Sequence, residues 1–578
     1  MAAISLQQQV NRVRIITRDP LLAIVLALMV VFVIVAIILP LSAMIGESFS
    51  EDGVPLFERY LTSQVYLNII RNTLVMGALV GLVGTAVGFL FAFVQVKLDV
   101  PFKRFMHIIA LVPVISPPFA VATATIVLFG RNGMISHDIF GLRYDIYGLD
   151  GLVLVMSMSF FTIAYLNLRG MMQALDPALD EAATNLGANK WRVFRTVTVP
   201  MLIPGIASSF LLLFVEAIAD LGNPLVMAGN YEVLASRIYV TIIGLYDTTG
   251  AAVLSVILLV PSLSVFLLQR YWVGRTSVVT VTGKPSGTPQ TINHPLVKWP
   301  LFGLVMAICL LIGLIYGMIF AGGFLQVPGV RNTFTLDNFD FVINGIGAQA
   351  MADTTRLALI STPIAGLIGM IIAYLVVRKD FFGRSGLDFG TMLGIAVPGT
   401  IIGIGYVLMF NTATVVNLPV LGEVTLFPKL TGGRAMFGGA VAIVLVFIVR
   451  STPAALRAGT AALSQIDPSI EEASISLGAD NARTFRKITL PLIRPAFLAG
   501  LIYAFARSMT TISAIIFLTT PQTKIMTAQI LNEVENGRYG NAFAYCVILI
   551  LIVMVAIGVL YVLVGSQTGA ERRIEGGL

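Results

Sequence analysis

The chain is a succession of long apolar runs separated by short polar loops, and that pattern decides its architecture. Runs able to cross a bilayer, which takes about 20 residues of helix, fall at 21–45, 69–96, 105–129, 151–172, 201–221 and 251–270. A second set falls at 300–322, 355–377, 387–410, 436–456, 494–518 and 543–565. Twelve spans in two sets of six predict an all-α polytopic membrane protein, because a helix satisfies its own backbone in hydrocarbon. Arg12, Arg14 and Arg18 precede the first run. That run is too long for the apolar stretch of a signal sequence and lacks a small-residue cleavage site, so it is read as a span.

Composition supports this reading. Only 12% of the 578 residues are charged and 57% are hydrophobic, with mean hydropathy +0.91, whereas a soluble domain has about 25% charged residues. The net charge of +7 is a topology signal. Lys97, Lys103, Arg104, Lys190, Arg192, Arg195, Arg270, Arg275, Arg378, Lys379, Arg384, Arg483, Arg486, Lys487, Arg572 and Arg573 fall in alternate loops. The intervening loops carry Glu47, Glu51, Asp52, Glu58, Asp138, Asp145, Asp150, Asp337, Asp340 and Asp353. Positive loops stay inside, which predicts a multi-pass membrane protein with both termini cytosolic. It also removes nucleic acid as a partner. Thr276–Pro295 is rich in Thr, Ser, Gly and Pro and reads as a flexible linker. The predicted division is a cytosolic segment 1–20, a transmembrane domain 21–275, a linker 276–298, a second transmembrane domain 299–566 and a tail 567–578. Six spans ahead of the linker orient both halves alike, as in a fused dimer with its pseudo-twofold axis along the membrane normal.

A repeat ties the halves together. One copy reads Asp176-Pro177, Glu181-Ala182-Ala183, Leu186-Gly187-Ala188, Phe194-Arg195, Val197-Thr198, Pro200 and Pro204. The other reads Asp467-Pro468, Glu472-Ala473-Ser474, Leu477-Gly478-Ala479, Phe485-Arg486, Ile488-Thr489, Pro491 and Pro495. Every pair differs by 291 in position. Asp caps a helix and Pro takes its first turn. Leu175, Leu179, Ala182 and Leu186 make one apolar stripe, as do Ile466, Ile470, Ala473 and Leu477. Gly187 and Gly478 end the helix, where glycine takes left-handed backbone most easily. A short second helix follows, and proline then precedes the next span. Each half is thus expected to place an amphipathic helix pair in a basic loop.

These loops, 176–204 and 467–495, resemble the EAA loop of ABC importer permeases. Glu181-Ala182-Ala183 with Gly187 and Val197-Thr198-Val199-Pro200 matches it, as do Glu472-Ala473-Ser474, Gly478 and Ile488-Thr489-Leu490-Pro491, with Ser474 replacing the third alanine. The resemblance covers the six-span core around each loop and omits the N-terminal residues and the linker. It implies the type I importer permease fold. It further implies that Glu181, Ala182, Ala183, Leu186, Gly187 and Phe194, with Glu472, Ala473, Ser474, Leu477, Gly478 and Phe485, dock two copies of an ATPase subunit. A periplasmic or lipid-anchored binding protein would deliver the cargo. No G-x-x-x-x-G-K-[ST] phosphate loop occurs in the chain, so ATP and magnesium are expected on the partner subunits. No catalytic residue, cofactor or metal site is expected here.

Charges within spans are costly and are functional candidates by default. Glu216 and Asp220 stand four apart at the end of the fifth run, followed by Asn223. Adding 291 to 216 reaches Arg507, followed by Thr510, Thr511 and Ser513. Glu216 and Arg507 are therefore expected to face each other near the pseudo-twofold axis, as part of a gate or of a salt bridge between packed helices. The segments around Asp220 and Thr510 are similar to those of ferric-iron-type permeases, which are fused two-half proteins. That resemblance implies ferric iron as cargo; related fused permeases carry 2-aminoethylphosphonate or other small anions. An ion-coupled secondary transporter is the alternative from another class, and it has no use for two matched docking loops. Gly77, Gly81, Gly84 and Gly88 read as small-residue packing, and Pro113, Pro117 and Pro398 as breaks in spans. Cys309 and Cys546 read as buried thiols.

Overall fold

The computed structural model describes residues 20–271, 291, 293–418 and 422–575. Most of the expected linker, nearly all of the N-terminal segment and the last residues of the tail lie outside them. The first half runs through α1 (Pro20–Ser48), α2 (Gln64–Lys97), α3 (Lys103–Ile115), α4 (Phe119–Phe129), α5 (Leu149–Ala174), the short α6 (Pro177–Asn185), α7 (Lys190–Ala219), the short α8 (Gly222–Met227) and α9 (Thr248–Tyr271). The second runs through α10 (Pro295–Gly322), α11 (Ala348–Arg378), α12 (Arg384–Ala396), α13 (Gly399–Phe410), α14 (Met436–Leu463), α15 (Ser469–Ser476), α16 (Phe485–Thr510), α17 (Met526–Glu535) and α18 (Tyr539–Glu575). Among the described residues ten helices are long and apolar enough to cross a membrane, and twelve crossings result if each bent pair counts as one. The chain is an all-α polytopic membrane protein. Among the described residues sheet is limited to two antiparallel hairpins, β1 (Leu325–Val327) with β2 (Arg331–Phe334) and β3 (Thr414–Leu418) with β4 (Gly422–Phe427).

The predicted third span is two helices, α3 and α4, meeting at 110°. Its counterpart, α12 and α13, bends by 105°. Pro117 and Pro398 stand at the two breaks in extended conformation, because a proline ring clashes with the preceding turn and withholds an N–H. The two halves keep one register across these breaks, and the offset changes only in the loop that follows. Lys97 and Arg378 end α2 and α11, and Phe129 and Phe410 end α4 and α13, each 281 apart. From α5 and α14 onward the offset is 291. The ten extra residues lie in the loop between α13 and α14, where β3 and β4 form their hairpin.

The first helix of each half packs on the opposite half. In α1, the Ala36 carbonyl accepts the Tyr406 hydroxyl of α13 at 2.8 Å, and Val33 fills the space over Gly390 in α12. In α10, the Tyr316 hydroxyl pairs with Ser116 at the end of the α3 segment. Two hydrophobic clusters result, and each draws on both halves: α10 joins the first-half cluster together with parts of α16, α17 and α18, and α1 joins the second-half cluster together with α9. Within the first half, α2 lies tightly on α5 and α7 through its glycines: Gly77 meets Phe214, Gly81 meets Phe210, and Gly88 lies 2.7 Å (from its would-be Cβ) from the Tyr165 backbone nitrogen. Cys309 and Cys546 are buried free thiols.

Candidate functional site

Both predicted docking helices form. The Asp176 carboxylate accepts the Ala178 N–H at 3.0 Å, and Asp467 accepts that of Ser469 at 2.9 Å. The Ser469 bond holds the Asp467 carboxyl below its usual range. At the other end, Gly187 and Gly478 sit at φ +86° and +88°. Their N–H groups bond to the Thr184 and Ile475 carbonyls. Ala188 and Ala479 reach back to Ala183 and Ser474. That pair of bonds is the Schellman closure, which only a left-handed residue completes without strain.

The next element differs from expectation. No separate second helix stands between the loop and the fifth span. Lys190–Val193, a wide π-turn over Phe194–Thr198 and Val199–Ala219 form one continuous helix. The second half does the same through a π-turn at Phe485–Thr489. The extra residue in the wide turn relieves the clash that Pro200 and Pro491 would otherwise make with the preceding carbonyls, so the helix continues.

Exposure separates the predicted docking residues into two groups. Leu186 is 88% exposed and Leu477 89%, and Glu181, Ala182, Glu472 and Ala473 are exposed beside them. Ala183 is half-buried, and Ser474 is buried with its hydroxyl bonded to Thr484 at 2.9 Å. Phe194 and Phe485 turn inward. Phe194 packs edge-on against Phe93 at 5.4 Å and Phe485 against Tyr374 at 4.9 Å. Counting each bent pair as one span puts both loops on the same face of the molecule.

All of the predicted pathway residues except Asn223 line a cavity of about 390 Å³ between the halves. Glu216 on α7 and Arg507 on α16 meet there, with Oε2 and Nη2 3.4 Å apart. Asp220 does not share a helical face with Glu216, because α7 ends at Ala219 and Asp220 is extended. Its carboxylate accepts the Asn223 N–H at 3.0 Å and side-chain amide at 2.9 Å, capping the start of α8. Asp220 still lines the cavity, while Asn223 is fully buried behind it. On the opposite side α16 stops at Thr510, short of the predicted 518. Thr510, Thr511 and Ser513 all line the cavity. The Thr510 hydroxyl is spent on the Ala506 carbonyl one turn back.

Two lining arginines escaped the sequence reading. Arg450 and Arg457 project from α14 into the same cavity. Arg450 is 5% exposed and donates to the carbonyls of Gly394 and Val397 at 3.1 and 3.0 Å. Those carbonyls are freed where α12 breaks, and irregular backbone at membrane depth needs such a partner. The lining comes in pseudo-equivalent pairs 291 apart: Ser159 with Arg450, Leu166 with Arg457, Leu212 with Tyr503, Glu216 with Arg507, Ala219 with Thr510, Asp220 with Thr511. All three arginines come from the second half and both carboxylates from the first. Among the described residues no group of three or more His, Cys, Asp or Glu side chains is placed to hold a metal ion.

Residues 84–278 and 365–570 each match the family described as "Binding-protein-dependent transport system inner membrane component". The chain belongs to that family. Each match contains one of the two loops. The chain is 35% identical over 531 residues to a protein of Actinobacillus pleuropneumoniae named ferric transport system permease protein FbpB, spanning 89% of this chain and 73% of that one. It is 34% identical over 499 residues to a Haemophilus influenzae protein named putative ferric transport system permease protein FbpB 1, spanning 83% and 74%. Over 197 residues it is 29% identical to the Escherichia coli (strain K12) molybdenum transport system permease protein ModB, spanning 33% of this chain and 85% of that one. The chain is therefore a fused two-half permease of an ABC importer, with one exposed loop in each matched region and a cavity between its halves.

Proposed function

We propose that this permease imports ferric iron across the bacterial inner membrane, with both loops and both termini in the cytosol and two ATPase subunits seated on α6 and α15. The observation that carries the docking is the matched pair of apolar side chains, Leu186 and Leu477, held almost wholly in solvent by two identical helix closures. Leaving a leucine so exposed twice, in register, suits a surface covered by two copies of one partner. ATP and magnesium belong to those partners, and a binding protein, periplasmic or lipid-anchored, delivers cargo to the opposite face. ATP binding draws the ATPases together and opens the cavity outward; hydrolysis returns it inward. The similar proteins named for ferric transport support the cargo.

A second reading has its own observation. Three arginines face two carboxylates around the cavity, a cationic surplus that favours a small anion such as 2-aminoethylphosphonate, or iron carried within an anionic complex. Proteoliposomes holding this chain, its ATPase and its binding protein decide the matter. ATP-dependent accumulation of radioactive ferric iron, uninhibited by 2-aminoethylphosphonate, supports the first reading. Accumulation of the phosphonate without iron overturns it.

A further inference from the structure

The last turn of the second span in each half carries an aromatic residue and, four positions later, a cation. In α2 these are Phe93 and Lys97, and in α11 Tyr374 and Arg378. Both pairs grip the adjoining docking loop. Lys97 Nζ lies 2.8 Å from Asp180 Oδ2 of α6, with the two side chains only 7% and 14% exposed. Arg378 Nε lies 3.2 Å from Glu471 Oε1 of α15, with exposures of 9% and 10%. Asp180 and Glu471 are 291 apart, whereas Lys97 and Arg378 are 281 apart. The same contact has therefore been kept across the point where the halves lose register. One turn back, Phe93 and Tyr374 pack on Phe194 and Phe485, which open the two π-turns. Thr489 closes the second π-turn and donates to Glu471 at 2.9 Å. Its equivalent, Thr198, lines a cleft with Lys97 and Asp180.

We propose that these two ion pairs are coupling clamps: they make the docking helix, the end of the second span and the start of the fifth move as one body when an ATPase displaces the loop. Lys97, Asp180, Arg378 and Glu471 are positioning residues, since they face inward and leave the exposed docking surface to Leu186 and Leu477. A buried pair suits the task. Removing either partner leaves a largely buried charge without its counter-charge, so the pair resists separation under load more than exposed charges do. The second clamp is the more heavily tied, because Arg378 also donates to the Ile466 carbonyl at 2.8 Å. The inference rests on the proposed seating of ATPases on α6 and α15.

The test uses the full complex of permease, ATPase and binding protein in proteoliposomes. Lys97→Asp, Asp180→Lys and the double exchange are compared with Arg378→Glu, Glu471→Arg and their exchange. Each single reversal is expected to retain copurifying ATPase and its basal hydrolysis, and to lose at least ten-fold of the hydrolysis stimulated by loaded binding protein. Each exchange is expected to recover stimulation to within three-fold of the original complex. Lys97→Met, which keeps length without charge, covers the case in which a reversal fails to fold, and Lys97→Arg is expected to rescue. Full stimulation in Lys97→Met, or exchanges that assemble yet stay unstimulated, would overturn the clamps while leaving the docking intact. If the unaltered complex shows no stimulation by binding protein, the importer reading and the clamps fall together.

Discussion

Glu216 and Arg507 show how far a single residue can be read from sequence. Both are charges within spans, and one subtraction places them opposite each other; the structure sets them 3.4 Å apart. Reversing either charge alone is expected to lower transport at least ten-fold, about 1.4 kcal/mol, and reversing both to restore it, measured as uptake into proteoliposomes. Normal transport by both single variants would remove them from the gate. Arg450 was equally legible, since it too lies in a predicted span and the same subtraction pairs it with Ser159, whereas Arg457 falls one residue past the predicted end at 456 and enters the span only because the helix runs on to Leu463. What sequence does not show is the task of Arg450, because the carbonyls of Gly394 and Val397 that it satisfies are created by a break elsewhere in the chain. Arg450→Met leaves both without that partner, at about 1–3 kcal/mol for an unsatisfied group. The expected outcome is a lower unfolding midpoint in detergent, with the docking loops still able to hold ATPase.

At the scale of elements, periodicity locates helices well and their ends poorly. Asp220 reads as a continuation of the helix bearing Glu216, four residues on. Gly222 and Pro224 are the residues that signal the stop, and the carboxylate becomes a cap for α8. The π-turns are illegible for a related reason. Pro200 and Pro491 argue for a new helix, and only the packed structure shows one wide turn absorbing them. Small-residue packing was plain in the spacing of Gly77, Gly81, Gly84 and Gly88. Gly88→Leu is expected to destabilise by about 1–3 kcal/mol, because a Cβ there meets the Ala164 methyl at 2.6 Å and the Tyr165 backbone at 2.7 Å. Thermal unfolding in detergent checks this, and an unchanged midpoint would mean that α2 does not lie so closely on α5.

For the whole molecule, twelve apolar runs and one internal repeat carry most of the architecture. They do not reveal that α1 and α10 each cross onto the opposite half, because span counting is blind to which helix is whose neighbour. The exchange ties the halves together: Tyr406 bonds to Ala36 and Ser116 to Tyr316, each across the divide. The two loops then present a matched pair of exposed helices, the proposed docking sites, from a single chain, and the charged residues of the cavity break the symmetry that the loops keep. The central claim is that one chain seats two ATPase subunits. Native mass spectrometry of the purified complex tests it most directly. The account predicts one permease with two ATPases, one ATPase when either Leu186→Asp or Leu477→Asp is present, and none with both. Two permease chains for every two ATPases, or full occupancy in the double variant, would contradict it.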